Sequence, residues 1–230
     1  MDKVLQVGGH LNTFQLVGST KIQKTTNQKE AEFYELLQKD KNLQELKTFC
    51  PLFYSAVQFQ ETGKTDYFVT LENILQDFEK PNVLDLKLGS QLFDDDANEE
   101  KKQRMLEKSS KTTSGSLGLR IAGMKYYNKE TCDKEYGRQL SNEQFITQLL
   151  KFVEPVKSRF IKDVVTLKSV LQVIEAKFIC TSILLVHEDG QPDSYSFKLI
   201  DFAHTTLCPG DGPPKDLLNA LNKLIEILNK

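Results

Sequence analysis

The order of strands and helices constrains the fold of this 230-residue chain more than any other feature of its sequence. Residues 10–80 contain several short segments typical of strands, and only the stretch 28–40 has helical spacing. Strands joined directly by short turns pair as antiparallel neighbours. Residues 81–230 mix strands with amphipathic helices. We therefore predict an α+β fold with an antiparallel, β-rich amino-terminal lobe and a mixed carboxy-terminal lobe.

The later segments predict three helices and two strands. One helix begins at a capping box formed by Ser141 and Gln144. A second follows an apolar stripe that runs from Phe160 to Phe178, and an amphipathic helix over 215–229 closes the chain. The stretches SLGLRIAGMKYYN and KFICTSILLV are predicted to be strands.

The composition excludes several classes of protein. Thirty basic residues nearly balance 32 acidic ones, so nothing global indicates a nucleic-acid or membrane-surface protein. Four widely separated cysteines without a C-x-x-C pair, together with only three histidines, argue against a zinc site or a disulfide framework. No run of 18 apolar residues occurs, and residues 1–10 lack the apolar core of a signal peptide. We therefore expect a soluble, intracellular protein.

The stretch PNVLDLKLGS at 81–90 places an acid and a base inside an apolar run. On a strand its leucines share one face while Asp85 and Lys87 share the other. A second apolar strand, FKLID, ends in Asp201, where α/β architectures place functional groups. A surface salt bridge and a turn-capping aspartate are the ordinary interpretations. Phosphoryl transfer is the alternative, because it needs a metal-holding carboxylate and a lysine on the phosphates.

Lys24 is a further candidate, since it lies on a predicted strand that precedes the helical stretch 28–40. Protein kinases use a strand lysine before a helix to pair with nucleotide phosphates. A surface lysine has the same pattern. No G-x-G-x-x-G loop occurs, and TGKT at 62–65 lacks the upstream glycine of a P-loop, so we interpret it as a hairpin turn.

The stretch DDDANEEKKQRMLEKSSK predicts a helix with a cationic face. Lys101, Arg104 and Lys108 are three and four residues apart, and Lys111 extends the patch. Residues 101–111 have a net charge of +4 in a chain whose total is −2. A solvated helix with acids at its amino end explains this gradient, and a face for an anionic substrate is the alternative.

Taken together, these stretches resemble the inositol polyphosphate kinases. PNVLDLKLG is similar to the P-x-x-x-D-x-K-x-G signature of that family, and FKLIDFAHTT to its metal-binding strand. QVGGH, Lys24 nine residues before Phe33, VTLENIL and TSIL are similar to other family elements. DDANEEK, SLGLRIAGMKYY and EYGRQLS are similar to the inositol hexakisphosphate kinase branch, with the multikinase branch as the close competitor. QKTT, TSIL and GDGPPKDLLNAL depart from the usual family pattern.

The resemblance implies a two-lobed fold related to the protein kinase and ATP-grasp folds. It places the nucleotide-binding lobe and hinge in residues 1–80 and the catalytic lobe in 81–230, with an inositol-phosphate-binding helical segment at 93–114. The implied cofactors are ATP and Mg²⁺, and the implied partners are inositol phosphates, with neither nucleic acid nor membrane. We expect a cytoplasmic monomer, with a nuclear location left open.

The resemblance also implies a role for each site residue. The implied catalytic residues are Asp85, Lys87 and Asp201. The implied ATP-binding residues are Lys24, Glu72, Ile74, Asp85 and Asp201. The implied acceptor-binding residues are Lys87, Lys101, Arg104, Lys108 and His204, the last of which is equally well explained as a packed turn residue. The implied magnesium ligands are Asp201 and Ser182.

Three functions remain open from the sequence. The first is an ATP-dependent kinase that phosphorylates inositol hexakisphosphate on an existing phosphate and so makes a pyrophosphate. The second is a multikinase acting on free hydroxyls of less phosphorylated inositols. The third is a non-catalytic anion-binding module, which would need neither Asp201 nor the two lysines at 24 and 87.

Overall fold

A computed structural model describes residues 14–61, 64–129 and 131–230 of the chain. The stretch QVGGH and the tip of the TGKT hairpin lie outside the described residues. The helices are α1 (Gln28–Lys39), α2 (Gln44–Thr48), α3 (Glu99–Ser110), α4 (Thr113–Leu117), α5 (Lys134–Gln139), α6 (Asn142–Val153), α7 (Lys157–Leu171) and α8 (Lys215–Leu228). The strands are β1 (Phe14–Val17), β2 (Lys21–Thr26), β3 (Phe53–Glu61), β4 (Lys64–Glu72), β5 (Pro81–Leu88), β6 (Leu119–Lys125), β7 (Thr131–Cys132), β8 (Ala176–Phe178), β9 (Ser182–Glu188), β10 (Gln191–Ile200) and β11 (Thr205–Leu207).

The strands form three sheets in which neighbouring strands are antiparallel. The amino-terminal sheet has the order β1-β2-β4-β3, and the larger carboxy-terminal sheet has the order β10-β9-β5-β6-β7. The third sheet pairs β8 with β11. The predicted α+β fold with two β-based lobes is confirmed, while the lobe limits 1–80 and 81–230 stay a prediction. No helix in the described ranges is long and apolar enough to cross a membrane.

A single hydrophobic core joins the amino-terminal helix to the carboxy-terminal lobe. α1 is capped by Asn27, whose side chain accepts a hydrogen bond from the Glu30 amide. Its buried face carries Phe33 and Tyr34, whose rings lie 4.6 and 5.3 Å from the ring of Phe202. Aromatic pairs at such distances contribute about 0.5–1.5 kcal/mol beyond the area they bury. Since Phe202 follows Asp201 directly, this packing fixes α1 beside the end of β10.

The predicted helix along the apolar stripe is wrong in its limits. The apolar stripe from Phe160 to Phe178 does not lie on one helix, because α7 ends at Leu171 and Phe178 belongs to β8. Ile174 and Phe178 are buried all the same. Regular spacing of apolar residues indicates which side chains are buried, but not that they share one helix. Here the helix ends at Leu171, and the residues after it are still buried.

Glycine and left-handed residues explain the other differences. The stretch SLGLRIAGMKYYN begins as the short helix α4, which Gly118 ends in a left-handed conformation with φ of 67° before β6 starts. KFICTSILLV is divided between β8 and β9 at Cys180, whose φ is 58°. The sequence analysis also missed α5, which Asp133 caps. The capping box of α6 and the closing helix α8 are confirmed.

Candidate active site

The carboxylate of Asp201 lies between two lysines at the end of β10. Its Oδ1 is 2.9 Å from Nζ of Lys24 on β2, and its Oδ2 is 2.6 Å from Nζ of Lys87 on β5. Asp201 has a φ of 67°, a left-handed conformation that aspartate tolerates better than most residues. The structure therefore brings together three of the residues that the sequence singled out, from strands far apart in the chain.

Glu30 on α1 completes this network and was missed by the sequence analysis. Its Oε1 is 2.8 Å from Nζ of Lys24 and accepts a hydrogen bond of 3.1 Å from the backbone amide of Phe202. The side chain of Glu30 is fully buried. A strand lysine paired with a glutamate on the following helix is also the arrangement of protein kinases. That comparison could have predicted an acid in the first turn of α1, six residues after Lys24.

Charge pairing controls the protonation of the network. Burial alone would raise the pKa of Asp201, but Lys24 and Lys87 hold that pKa well below its usual range. Burial alone would lower the pKa of both lysines, but the charge of Asp201 raises it. Glu30 also raises the pKa of Lys24, and Asp85 also raises the pKa of Lys87. All three side chains are therefore charged at neutral pH, and two fixed ammonium groups flank one carboxylate.

Asp85 has a different environment, although it is only two residues from Lys87. It lies in the middle of β5 between β6 and β9 and is 3% exposed. Its Oδ1 has no hydrogen-bond partner among the described atoms. Burial raises the pKa of Asp85 to about 6, against the lowering effect of Lys87. The interpretation of Asp85 and Lys87 as a surface salt bridge is wrong, because Lys87 instead pairs with Asp201 and donates to the carbonyl of Cys180 at 2.6 Å.

Lys24, Glu30, Lys87 and Asp201 line a cleft of about 390 Å³ whose described lining is strongly cationic. Among the described lining residues the acids are Glu30 and Asp201. The cations that line it are Lys24, Lys87, Lys108, Arg120, Lys134 and Arg138. Because Glu30 and Asp201 are paired with Lys24 and Lys87, the remaining cations leave the cleft with an excess of positive charge.

That excess comes from Lys108, Lys134 and two arginines, and of these four only Lys108 was predicted as a site residue. Arg138 is also paired with Glu135 on the same helix. Arg120 on β6 lies opposite Lys87 in the strand register, and its Nη1 is buried without a hydrogen-bond partner among the described atoms. Burial lowers the pKa of Arg120, and the nearby Arg138 on α5 lowers it further. Like charges held together in this way are stabilised by an anionic ligand. The signal was present in SLGLRIAGMKYY and EYGRQLS, which contain these two arginines.

Gly137 allows α5 to present Arg138 at this cleft. A Cβ atom built on Gly137 would lie 1.8 Å from the carbonyl oxygen of Ile121 on β6. That distance is far below any real contact, so only glycine permits the close approach of α5 to β6. The sequence gives no direct sign of this packing, because glycine also weakens a helix and made α5 hard to recognise.

The remaining predicted residues differ in their relation to the cleft. Lys108 and His204 line it. Lys101 and Arg104 are on α3 but are not among its lining residues, and Arg104 is exposed. Near the predicted hinge, the amide of Glu72 donates to the carbonyl of Leu52 at 2.9 Å, and Ile74 packs on a small apolar cluster. The roles assigned to these residues stay predictions.

The donor set fits a magnesium ion that is completed by its substrate. In the described ranges no three His, Cys, Asp or Glu side chains are grouped to hold a metal by themselves. Magnesium is usually held by one or two carboxylates together with substrate phosphates. Asp201 supplies such a carboxylate. Ser182 lies opposite Lys87 on β9, where it is fully buried and is not among the described lining residues of the cleft, so its role as a ligand stays a prediction.

Comparison with known proteins identifies the family. Residues 68–229 match the family model described as inositol polyphosphate kinase. The matched region contains β5, Asp201 and all of the cationic cleft except its amino-terminal wall. The chain belongs to the inositol polyphosphate kinase family.

Individual relatives come from two branches of that family. The chain is 32% identical over 201 residues to inositol hexakisphosphate kinase 3 of Mus musculus, a match that covers 72% of this chain and 51% of that kinase. It is 27% identical over 249 residues to the inositol polyphosphate multikinase of Saccharomyces cerevisiae, covering 74% and 70%. The chain thus spans about half the length of the hexakisphosphate kinase that it matches.

A solved structure supports the two-lobed fold. The crystal structure of an inositol phosphate multikinase from S. cerevisiae, in complex with ADP and Mn²⁺, superposes with a TM-score of 0.78 at 28% sequence identity. The match covers 91% of this chain and 98% of that one.

Proposed function

We propose that this protein is an ATP-dependent inositol phosphate kinase that transfers the γ-phosphoryl group of ATP to inositol hexakisphosphate and makes a diphosphoinositol. The observation that carries the proposal is the Lys24–Asp201–Lys87 network in the lining of a cationic cleft. The network would supply charges for a nucleotide and its metal, and the other cations of the cleft would supply charges for a polyanionic acceptor. A binding module would not need the first set, so the anion-binding alternative is disfavoured.

Each residue of the network has its own proposed role in phosphoryl transfer. Lys24, held by Glu30 and Asp201, would bind the nucleotide phosphates, with Glu72 and Ile74 at the adenine edge as proposed contacts. Lys87 would neutralise charge on the γ-phosphoryl group as it moves toward the acceptor. Magnesium, with Asp201 and Ser182 as its proposed ligands, supplies charge neutralisation on the same phosphates.

The chemistry at the acceptor depends on what the acceptor is. Whether the acceptor is a phosphate or a hydroxyl, the bond between the γ-phosphorus of ATP and the oxygen that bridges it to the β-phosphate breaks, and ADP leaves. A new bond forms between the γ-phosphorus and an oxygen of the acceptor. An acceptor hydroxyl must also lose a proton, and Asp85, with its pKa of about 6, is suited to take it. An acceptor phosphate of inositol hexakisphosphate has no such proton to lose, so Asp85 would then orient the ribose or the attacking oxygen.

The excess of positive charge favours the hexakisphosphate as acceptor. Lys108, Arg120, Lys134 and Arg138 lie on the acceptor side, and Arg120 has a buried nitrogen without a partner among the described atoms. A more highly charged acceptor gains more from such a surface than a trisphosphate does. The alternative is multikinase activity on inositol tris- to pentakisphosphates. It is favoured by the base-like environment of Asp85 and by the likeness to the yeast multikinase.

The organisation proposed for the protein follows from the same assignments. Residues 1–80 would form the nucleotide-binding lobe and hinge, residues 81–230 the catalytic lobe, and 93–114 the acceptor-binding helical segment. The ligands would be ATP, Mg²⁺ and inositol phosphates, bound by a cytoplasmic monomer, with a nuclear location left open.

Product analysis tests the proposed acceptor. Inositol hexakisphosphate, which has no free hydroxyl, is offered with ATP and Mg²⁺, and the products are separated by anion-exchange chromatography. We expect a more phosphorylated product whose new phosphate is released by hot acid. Parallel reactions use inositol tris-, tetrakis- and pentakisphosphates. Turnover confined to these hydroxyl-bearing acceptors would assign the protein to the multikinase alternative.

Two pairs of substitutions test which cations contact the acceptor. Lys108→Ala with Arg138→Ala removes two cations that line the cleft, and Lys101→Ala with Arg104→Ala removes two from α3 that do not. We expect the first pair to raise the KM for the acceptor at least about tenfold, since charged hydrogen bonds contribute about 1.5–3 kcal/mol each. The second pair should change it less than about threefold at physiological salt, where exposed charges are screened within ~8 Å. Equal effects of the two pairs, or an equal change in the KM for ATP, would contradict this assignment.

A further inference from the structure

Asp94 lies at a junction between the acceptor side of the cleft and the amino-terminal helix. It belongs to the segment that joins β5 to α3, outside both elements. Its Oδ2 is 2.7 Å from Nδ1 of His204, and its Oδ1 is 3.6 Å from Nζ of Lys29 on α1. The side chain of Asp94 is 16% exposed, whereas those of His204 and Lys29 are 39% and 41% exposed. The acid is thus the most buried of the three groups.

The contact with Asp94 determines which ring nitrogen of His204 carries a proton and which one is left for a ligand. An ionised carboxylate only accepts hydrogen bonds, so the 2.7 Å contact places a proton on Nδ1. His204 also lines the cleft, so Nε2 is the ring nitrogen left for a ligand there. A carboxylate that binds one imidazole nitrogen fixes both the orientation of the ring and the tautomer.

Both partners are held in place by the fold without any ligand. On one side of Asp94, the amides of Ser90 and Gln91 donate to Asp216 at 2.8 and 3.0 Å. On the other side, Asp95 pairs with Lys177 at 2.5 Å. The turn that carries His204 is fixed as well, since its carbonyl accepts from the amide of Ile179 at 3.3 Å. The carboxylate and the ring are therefore pre-organised.

An ordinary surface ion pair is the competing explanation, and it contributes about 0–1 kcal/mol to stability. Two observations favour a role at the cleft. Lys29 already provides Asp94 with a cation, so the imidazole is not needed to balance its charge. His204 also lines the same cleft as Met105 and Lys108, which lie on the helix that Asp94 precedes.

We propose that Asp94 is a positioning residue for acceptor binding: it holds the imidazole of His204 with Nδ1 protonated, so that Nε2 meets a phosphate group of the inositol phosphate. The proposal rests on the proposed function, because the ligand is the acceptor of that reaction. Nε2 is then the ring nitrogen that forms a hydrogen bond with a phosphate group of the acceptor. Asp94 itself does not touch the acceptor.

The first test reads the tautomer of His204 without any substrate. The chain has three histidines, so a long-range ¹H–¹⁵N correlation spectrum of the full protein contains few imidazole signals, and His204→Gln identifies the one in question. We expect the signal of His204 to report a protonated Nδ1 in the wild type. Asp94→Asn should move it toward the other tautomer, because an amide can also donate. A wild-type His204 whose Nδ1 carries no proton would overturn the proposal.

The second test separates binding from turnover. Asp94→Asn and His204→Gln should each raise the KM for the acceptor about tenfold, the usual effect of a lost charged hydrogen bond, with the KM for ATP and kcat changed less than about twofold. The double variant should be no worse than His204→Gln, because Asp94 acts through the ring. The matched control is Glu35→Gln, which breaks an exposed ion pair with Lys39 on α1 and should leave the KM for the acceptor unchanged.

The outcomes distinguish this proposal from the function on which it rests. If Asp94→Asn raises the KM as much in the His204→Gln background as in the wild type, Asp94 does not act through His204 and the proposal fails while the kinase stands. If the wild type transfers no phosphoryl group, the kinase assignment fails. Calorimetric titration with inositol hexakisphosphate then decides the proposal through the same variants, and absence of binding to the wild type overturns both.

Discussion

Asp201→Asn should abolish phosphoryl transfer and also lower the stability of the protein. Asparagine has nearly the same shape and is tolerated at the left-handed φ of 67°, so the change removes charge without adding backbone strain. Loss of the carboxylate removes the proposed metal ligand, and we expect turnover to fall about a thousandfold or more, as when other charge-stabilising groups are removed. Steady-state assays with ATP and Mg²⁺ measure this effect.

The loss of stability follows from the two lysines that Asp201 holds. Among the described residues, Lys87 then keeps only the more distant charge of Asp85, while Lys24 keeps its ion pair with Glu30. Removing one member of a buried pair costs several kcal/mol, but Asp201 is 25% exposed, so we expect a decrease on the order of 2 kcal/mol in the free energy of unfolding. Urea denaturation measures it. Asp211→Asn, which loosens an exposed contact with Lys177, is the control and should alter neither property. Undiminished turnover in Asp201→Asn would contradict the role given to this residue.

The sequence was enough to single out three members of the ion-pair network in the cleft. Lys87 lies in an apolar strand and Asp201 directly follows one, where a charge is unusual, and Lys24 precedes a helix. Such local patterns need no knowledge of distant contacts. Glu30 lacked a local pattern of its own, since an acid in the first turn of a helix is common as a partner of the helix dipole. Only the folded chain places it against Lys24 and the amide of Phe202.

Arg120 and Arg138 were not predicted to line the cleft, for a different reason. Regular spacing on α3 drew attention to Lys101, Arg104 and Lys108, of which Lys108 lines the cleft. Arg120 reaches the cleft because β6 pairs with β5, and Arg138 because Gly137 brings α5 onto β6. Strand pairing and helix packing are tertiary contacts, and the spacing of residues in the sequence does not predict them.

Asp85 and Asp201 illustrate how environment separates two carboxylates in one site. Two ammonium groups stabilise the charge of Asp201 and lower its pKa. Asp85 is buried with one oxygen unpaired among the described atoms, and its pKa rises to about 6. Because its charged form is disfavoured in the folded state, neutralising Asp85 should have the opposite effect on stability from neutralising Asp201.

Asp85→Asn should therefore lose activity while it gains stability. We expect kcat to fall about a hundredfold or more if Asp85 takes the proton of an acceptor hydroxyl or orients the attacking oxygen. At pH 8 the wild type bears the cost of a buried charge, so the variant should be more stable by on the order of 2 kcal/mol, given a rise of the pKa from 3.8 to about 6.

The pH dependence of that gain identifies its cause. The folded state holds a proton on Asp85 below about pH 6, and the unfolded chain holds it only below about pH 4. The wild type is therefore stabilised by its own protonation as pH falls from 6 to 4, and the advantage of Asp85→Asn should disappear over that window. Urea denaturation at pH 8, 7, 6 and 5, without nucleotide or metal, follows it. Asp77→Asn, at an exposed acid, is the control and should show no such change. A variant less stable than the wild type at pH 8 would mean that the Asp85 carboxylate is favourably paired in the folded protein, and the base assignment would then lose its physical support.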